Sequence, residues 1–107
     1  MKFTEYLRLN ESEDKVQPKN KTELKEIVEK TIKEKGLDCD LNFIDTSKIT
    51  DMSDLFAYAK FNGDISNWNV SNVESMENMF RFSKFQGDIS KWNVSNVKNM
   101  SAMFESS

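Results

Sequence analysis

The chain has 107 residues, room for one small domain, with 31% charged and 37% hydrophobic side chains. Fifteen basic against eighteen acidic residues leave a net charge of −3, without the clustered basic face that nucleic-acid binding requires. Histidine is absent and cysteine occurs once, at Cys39, which removes the commonest general base and any internal disulfide or thiolate metal cluster.

Residues 1–19 read as an N-terminal peptide followed by a polar linker. Phe3, Tyr6 and Leu7 make one small apolar face on a short helix, a candidate docking peptide. Glu5 and Arg8 interrupt this stretch, so it lacks the apolar run of about 7–15 residues of a signal peptide, and no lipid-attachment cysteine follows. An intracellular or phage-particle location is the expectation from these residues. No apolar run approaches the roughly 20 residues needed to cross a bilayer, so membrane insertion is not expected.

Residues 20–51 read as a capping helix and a divergent first coil. Leu24, Ile27, Val28, Thr31 and Ile32 form one stripe over 20–36, Asn20 with Glu23 forms a capping box, and Gly36 suits the C-terminal cap.

Residues 52–107 repeat. The segments 52–75 and 76–99 align without a gap and are identical at 14 of 24 positions, and a further half coil starts at Met100. Stepping back 24 residues sets Leu41 under Ile65 and Ile89, Ile44 under Trp68 and Trp92, and Ile49 under Val73 and Val97. Met52, Leu55, Phe56 and Ala59 fall at the i, i+3, i+4, i+7 spacing of a short helix, repeated by Met76, Met79, Phe80 and Ser83. Gly63 and Gly87 are expected to relieve strain in a return turn, and the D-I-S-x-W-N-V-S-N-V segment after them is expected to be a short strand and a second turn. Such a unit cannot bury its own apolar face, but a stack of them at roughly 4.8 Å spacing can. The expected fold is an α/β repeat, a short leucine-rich-repeat-like solenoid of 24-residue coils with an N-terminal capping helix. The half coil at 100–107 either covers the preceding coil or supports end-to-end self-association.

The pattern M-x-x-L/M-F…F-x-G-D-I-S-x-W-N-V-S-N-V-x-x-M is carried by Met52, Phe56, Phe61, Gly63, Asp64, Ile65, Trp68, Val70, Ser71, Asn72, Val73 and Met76, and again from Met76 to Met100. It resembles the BspA-like repeats of bacterial and mycoplasma surface proteins, which are grouped with leucine-rich repeats. The resemblance implies a solenoid used for binding or display at a cell surface, with no catalytic activity. The opening M-x-F-x-E-Y-L-x-L-N-E-S is similar to the starts of many proteins of large tailed bacteriophages, which implies a virion or decoration component.

Several motifs offer chemistry. Asp38, Asp40 and Asn42 open like a calcium loop, but Phe43 and Ile49 stand where a glycine and a glutamate are needed. Asp64 and Asp88, with Ser66 and Ser90, are read as turn residues rather than an acid/base pair, and Trp68 and Trp92 as core rather than a stacking platform. Cys39 aligns with Gly63 and Gly87 and has no histidine to activate it. No cofactor, metal or catalytic residue is expected, and a non-enzymatic protein is. Positions that differ between copies are the better guide to a binding face: Ala57/Arg81, Tyr58/Phe82, Asn67/Lys91 and Glu74/Lys98. Tyr58 and Phe82 either pack under the loops before the glycines or stand exposed as an interaction hot spot. The candidate protein-binding residues are therefore Tyr58, Phe82, Arg81, Lys91 and Lys98. The expected function is a protein–protein interaction module, and the alternative is an assembly subunit.

Overall fold

A computed structural model describes residues 16–107. One helix, α1, runs from Lys21 to Lys35. The Asn20 side chain accepts the Glu23 N–H at 3.0 Å, and Gly36, at φ 100°, closes the other end with its N–H on Ile32 O at 2.8 Å. Leu24, Ile27, Val28 and Thr31 are buried, so α1 lays its apolar stripe on the first coil and its lysines and glutamates in water. Lys21 fixes the helix start to the stack through Ser53 and Asp51. The segment ahead of the helix is not wholly a linker. Val16 is buried and pairs in parallel with Ile44, donating to Phe43 O at 3.0 Å and accepting from Asp45 N at 2.7 Å.

Beyond α1, residues 24 apart lie over one another. Parallel bridges join Asp40 to Asp64, Asp51 to Ser75 and Ser75 to Asn99. These remain isolated bridges, so the short strands expected in each unit do not form among the described residues. The short helices expected over 52–59 and 76–83 do not form either. Met52, Asp54, Phe56 and Tyr58 each donate their N–H to the next unit, at Ser75, Glu77, Met79 and Arg81 O, with lengths of 2.8–2.9 Å. The N–H groups of Leu55, Ala57 and Ala59 close turns onto the carbonyls three residues back. An α-helix returns each N–H beyond its first turn to the carbonyl four residues back, whereas here Phe56 and Tyr58 donate out of the segment and the intervening N–H groups bond three residues back. The result is a ribbon of overlapping turns, with positive φ at Asp54 and Tyr58, Asn78 and Phe82, and Ala102 and Ser106. That is the third-residue conformation of type II turns. Met52, Leu55 and Phe56 still point inward, so the ribbon shares the helical i, i+3, i+4 burial signature.

The remaining turns open with a side-chain acceptor. Asp40, Asp64 and Asp88 accept the N–H two residues on, at 2.7–2.9 Å. Asp45, Asn69 and Asn93 do the same for Ser47, Ser71 and Ser95, at 3.0–3.1 Å. These Asx turns satisfy N–H groups that no sheet takes up. The Asn-Val-Ser triplets at 69–71 and 93–95 are thus turn chemistry.

The core is a column of rings. Phe56, Phe80 and Phe104 stack at 5.7 and 5.5 Å, Phe61 and Phe85 at 6.1 Å, and Phe56 and Phe80 also meet Trp68 and Trp92. Each indole N–H reaches the unit below, Trp68 to Leu41 O at 2.8 Å and Trp92 to Ile65 O at 3.1 Å. Both tryptophans are core, with their one polar atom satisfied.

Gly63 and Gly87 serve close approach. Neither adopts positive φ. A Cβ on Gly63 would overlap the Cys39 carbonyl oxygen, a backbone atom of the neighbouring unit, as well as the Phe61 ring. On Gly87 the obstacle is the Phe85 ring, with the Gly63 carbonyl oxygen at 3.2 Å.

Two predictions follow from this packing. Phe80→Ala, which removes the middle ring of the column, is expected to cost about 3–5 kcal/mol in chemical denaturation. Gly63→Ala should cost about 1–3 kcal/mol or more, because backbone must move. Gly87→Ala should cost less, since a partly exposed ring can swing away. Equal losses at the two glycines would refute the close-approach explanation.

Candidate interaction surface

The structure gathers three of the candidate residues. The Tyr58 and Phe82 rings stack at 5.2 Å with an interplanar angle of 10°. They lie on the outside of the stack, 68% and 43% exposed, so they do not pack beneath the loops before the glycines. The Arg81 guanidinium sits 5.3 Å from the Phe82 ring centre, within cation–π reach, and its Nη2 meets Glu105 Oε1 at 3.4 Å. Arg81 Nε is buried without a hydrogen-bond partner, so the side chain is held from both ends with one donor desolvated. Tyr58 and Phe82 take φ of 61° and 53°, a region that bulky side chains rarely enter.

Lys91 and Lys98 belong to other strips. Lys91 lies beside Asp64 and Asp88 and helps to hold both carboxyls in their charged form. Lys98 pairs with Glu74 at 3.3 Å. It lines an open polar groove of about 480 Å3 with Ser47, Lys48, Thr50, Asn72, Glu74 and Asn96. Asn72 and Asn96 donate their side-chain amides to Ser47 O and Ser71 O, each at 2.7 Å, so those amides tie adjacent units together. The docking peptide Phe3, Tyr6 and Leu7 lies outside the described residues.

The aspartates are turn residues by geometry. Asp64 Oδ1 accepts both the Ser66 N–H at 2.9 Å and the Ser66 hydroxyl at 2.7 Å. The Ser66 N–H, then its hydroxyl, then Asn42 hold the Asp64 carboxyl down to about 2. Asp88 is lowered by the Ser90 hydroxyl and then the Ser90 N–H. Cys39 is buried, and burial pushes its thiol up, away from the thiolate a nucleophile needs. Among the described residues no three His, Cys, Asp or Glu side chains converge as metal ligands, and no helix is long and apolar enough to cross a membrane.

Sequence reading missed the backbone strain under Tyr58 and Phe82. A signal was present at Asp54 and Asn78, which tolerate positive φ better than most residues, four places ahead of each aromatic.

A carboxyl depressed in the folded state stabilises fold above its unfolded value, and the effect is lost as pH falls through the folded one. Asp64 should therefore titrate near 2 by carboxyl-detected NMR. Its contribution to stability should be complete above about pH 4 and disappear toward pH 2, and Asp64→Asn should remove that part of the acid transition. A midpoint at the ordinary 3.8 would mean the Ser66 turn is not held in solution.

No curated protein and no solved structure matches the chain significantly. A family model does match, over residues 10–107, that of the Mycoplasma proteins of unknown function, DUF285. That span takes in α1, the pairing at Val16, the ring column and the aromatic stripe, and the chain belongs to this family.

Proposed function

We propose that the chain is a non-enzymatic protein-interaction module, a short capped solenoid whose outer stripe of Tyr58, Phe82 and Arg81 engages a protein partner. One internal comparison carries the reading. Two rows of residues share the same left-handed backbone conformation. One holds Asp54, Asn78 and Ala102, at φ 61°, 57° and 55°, and the other Tyr58, Phe82 and Ser106, at 61°, 53° and 56°. Asp54 and Asn78 suit this conformation, whereas Tyr58 and Phe82 place bulky rings in it, at a strain on the order of 1 kcal/mol or more for each. Burial does not compensate, because both rings are exposed. Strained, exposed aromatics beside an arginine have the composition of an interaction hot spot. The repeat's resemblance to bacterial surface proteins and the match to a Mycoplasma family support display at a surface as the setting.

The test replaces Tyr58 and Phe82 together by Asn, which relaxes the backbone. The melting temperature should hold or rise by a few degrees, since 1 kcal/mol shifts a domain of this size by about 4–8 °C. Capture by the immobilised chain, quantified by mass spectrometry, should lose a partner that binds wild type and returns when both aromatics are restored. A fall of several degrees would make the rings structural. An unchanged set of captured proteins would place the interaction elsewhere.

A further inference from the structure

Asn62 stands immediately before Gly63, and no other asparagine of the chain precedes a glycine. The glycine cannot be exchanged freely, because a Cβ there would overlap the Cys39 carbonyl oxygen. The repeat sets Asp38 and Gln86 at the position of Asn62, so only the middle unit joins an asparagine to a glycine nitrogen that no side chain shields. The fold leaves this pair ready to react. The Gly63 N–H donates to no acceptor among the described residues, so no hydrogen bond has to break to free that nitrogen. Asn62 is exposed, and its Nδ2 has no partner among the described residues, so ammonia can leave into water. Its Oδ1 accepts the Gln86 N–H at 2.8 Å. That donor is aimed at the oxygen on which negative charge gathers when the side-chain amide carbon is attacked.

We propose that Asn62 is a site of spontaneous deamidation, driven by the Gly63 nitrogen and assisted by the Gln86 N–H, and that the isoaspartate formed there loosens the joint between the first and second coils. The Gly63 nitrogen loses its proton to hydroxide and attacks Asn62 Cγ. The new N–Cγ bond closes a succinimide ring, the Cγ–Nδ2 bond breaks, and the leaving nitrogen takes a proton from water and departs as ammonia. Water then opens the ring. Opening at Cγ leaves aspartate, and opening at the main-chain carbonyl leaves isoaspartate, with Gly63 now joined to Cγ.

The two products act differently on the stack. Aspartate keeps the main chain, and Asp38 already occupies the equivalent place in the preceding unit. Isoaspartate inserts a methylene between two bonds that set the register of adjacent units, Asn62 N–H to Leu37 O at 2.8 Å and Asp64 N–H to Cys39 O at 3.1 Å. It also draws the former side-chain carbonyl into the backbone, away from the Gln86 N–H. The chain around Gly63 has no slack for the extra atom, since even a Cβ overlaps Cys39 O. The change uses no residue of the aromatic stripe and stands independently of the function proposed there.

The test incubates the full chain at physiological temperature, folded and in urea, at neutral and mildly alkaline pH. Proteolytic peptides, among them 61–81 released by cleavage after Lys60 and Arg81, locate any gain of one mass unit, and protein isoaspartyl methyltransferase labels isoaspartate. The folded chain should convert at Asn62 ahead of every other asparagine, no more slowly than in urea, and faster as hydroxide rises. Isoaspartate should be the larger product, and the isoaspartyl chain should melt about 4–8 °C or more below wild type. Asn62→Gln should abolish the conversion, and Asn62→Asp should keep the wild-type melting temperature. Conversion led by another asparagine, or slower in the folded chain than in urea, means that the fold protects Asn62 and overturns the proposal. So does an isoaspartyl chain that melts with the wild type.

Discussion

The structure depends on one commitment of the backbone. Alternate N–H groups along 52–58 and 76–82 leave their own segment and bond to the next unit. Once those donors are given away, the intervening ones close four-residue turns, and the chain enters positive φ at every fourth position. The same bonds fix the offset between units, so that like side chains fall over like and Phe56, Phe80 and Phe104 form a column. They also bring Gly63 against the Cys39 carbonyl, where no Cβ fits. Register, ring stacking and the glycine requirement are three consequences of a single hydrogen-bonding choice.

That choice explains which parts of the fold were legible in the sequence. The 24-residue period was, because stacking in register forces equivalent positions to hold equivalent residues. α1 was legible too, since its cap residues and apolar stripe are local and act without neighbours. The turn ribbon was not. Burial at Met52, Leu55 and Phe56 has the spacing of a helix, and what separates the two is the destination of the N–H groups, which lies 23 residues away. Val16 was hidden for a similar reason. A single valine in a polar segment carries no periodicity, and its burial comes from pairing with Ile44 at a distance in sequence.

The candidate surface was legible only in part. The differences at Tyr58/Phe82 and Asn67/Lys91 fall on exposed residues, but Leu55/Met79 also differ and are both buried, since one apolar side chain can replace another in a core. A change of polarity between copies marks exposure better than a change of residue alone, and neither says which exposed residues are neighbours. Arg81 and Phe82 meet because they are adjacent on one ribbon, and Tyr58 joins them through the 24-residue register. Lys91 and Lys98 drift as freely, yet they sit on the aspartate turns and the polar groove. Recurrence, conversely, separates structure from chemistry. Asp64 and Asp88 each bind the serine two residues on through the same oxygen, which a turn requires and a general acid would not.

On the function proposed, the geometry of the aromatic row also limits how strong a contact it can make. The row holds Tyr58 and Phe82, and its third place is Ser106, at φ 56°. Rings stacked at 5.2 Å with nearly parallel planes cover only the sides they turn to each other and leave their edges to solvent, so a partner would meet a narrow apolar ridge. Stacking also fixes the two side chains before binding, which lowers the ordering entropy that a partner must overcome, about 0.5–1.5 kcal/mol for each side chain otherwise immobilised. A ridge two rings long can anchor a contact but cannot furnish a whole interface of the usual 800 Å2 per partner. The rest must come from polar residues around it, among which Arg81 is already oriented by Glu105. A partner of the kind proposed would therefore present a shallow apolar groove with acceptors at its margin, and its affinity would rest on the preorganised geometry of the row more than on the area it covers.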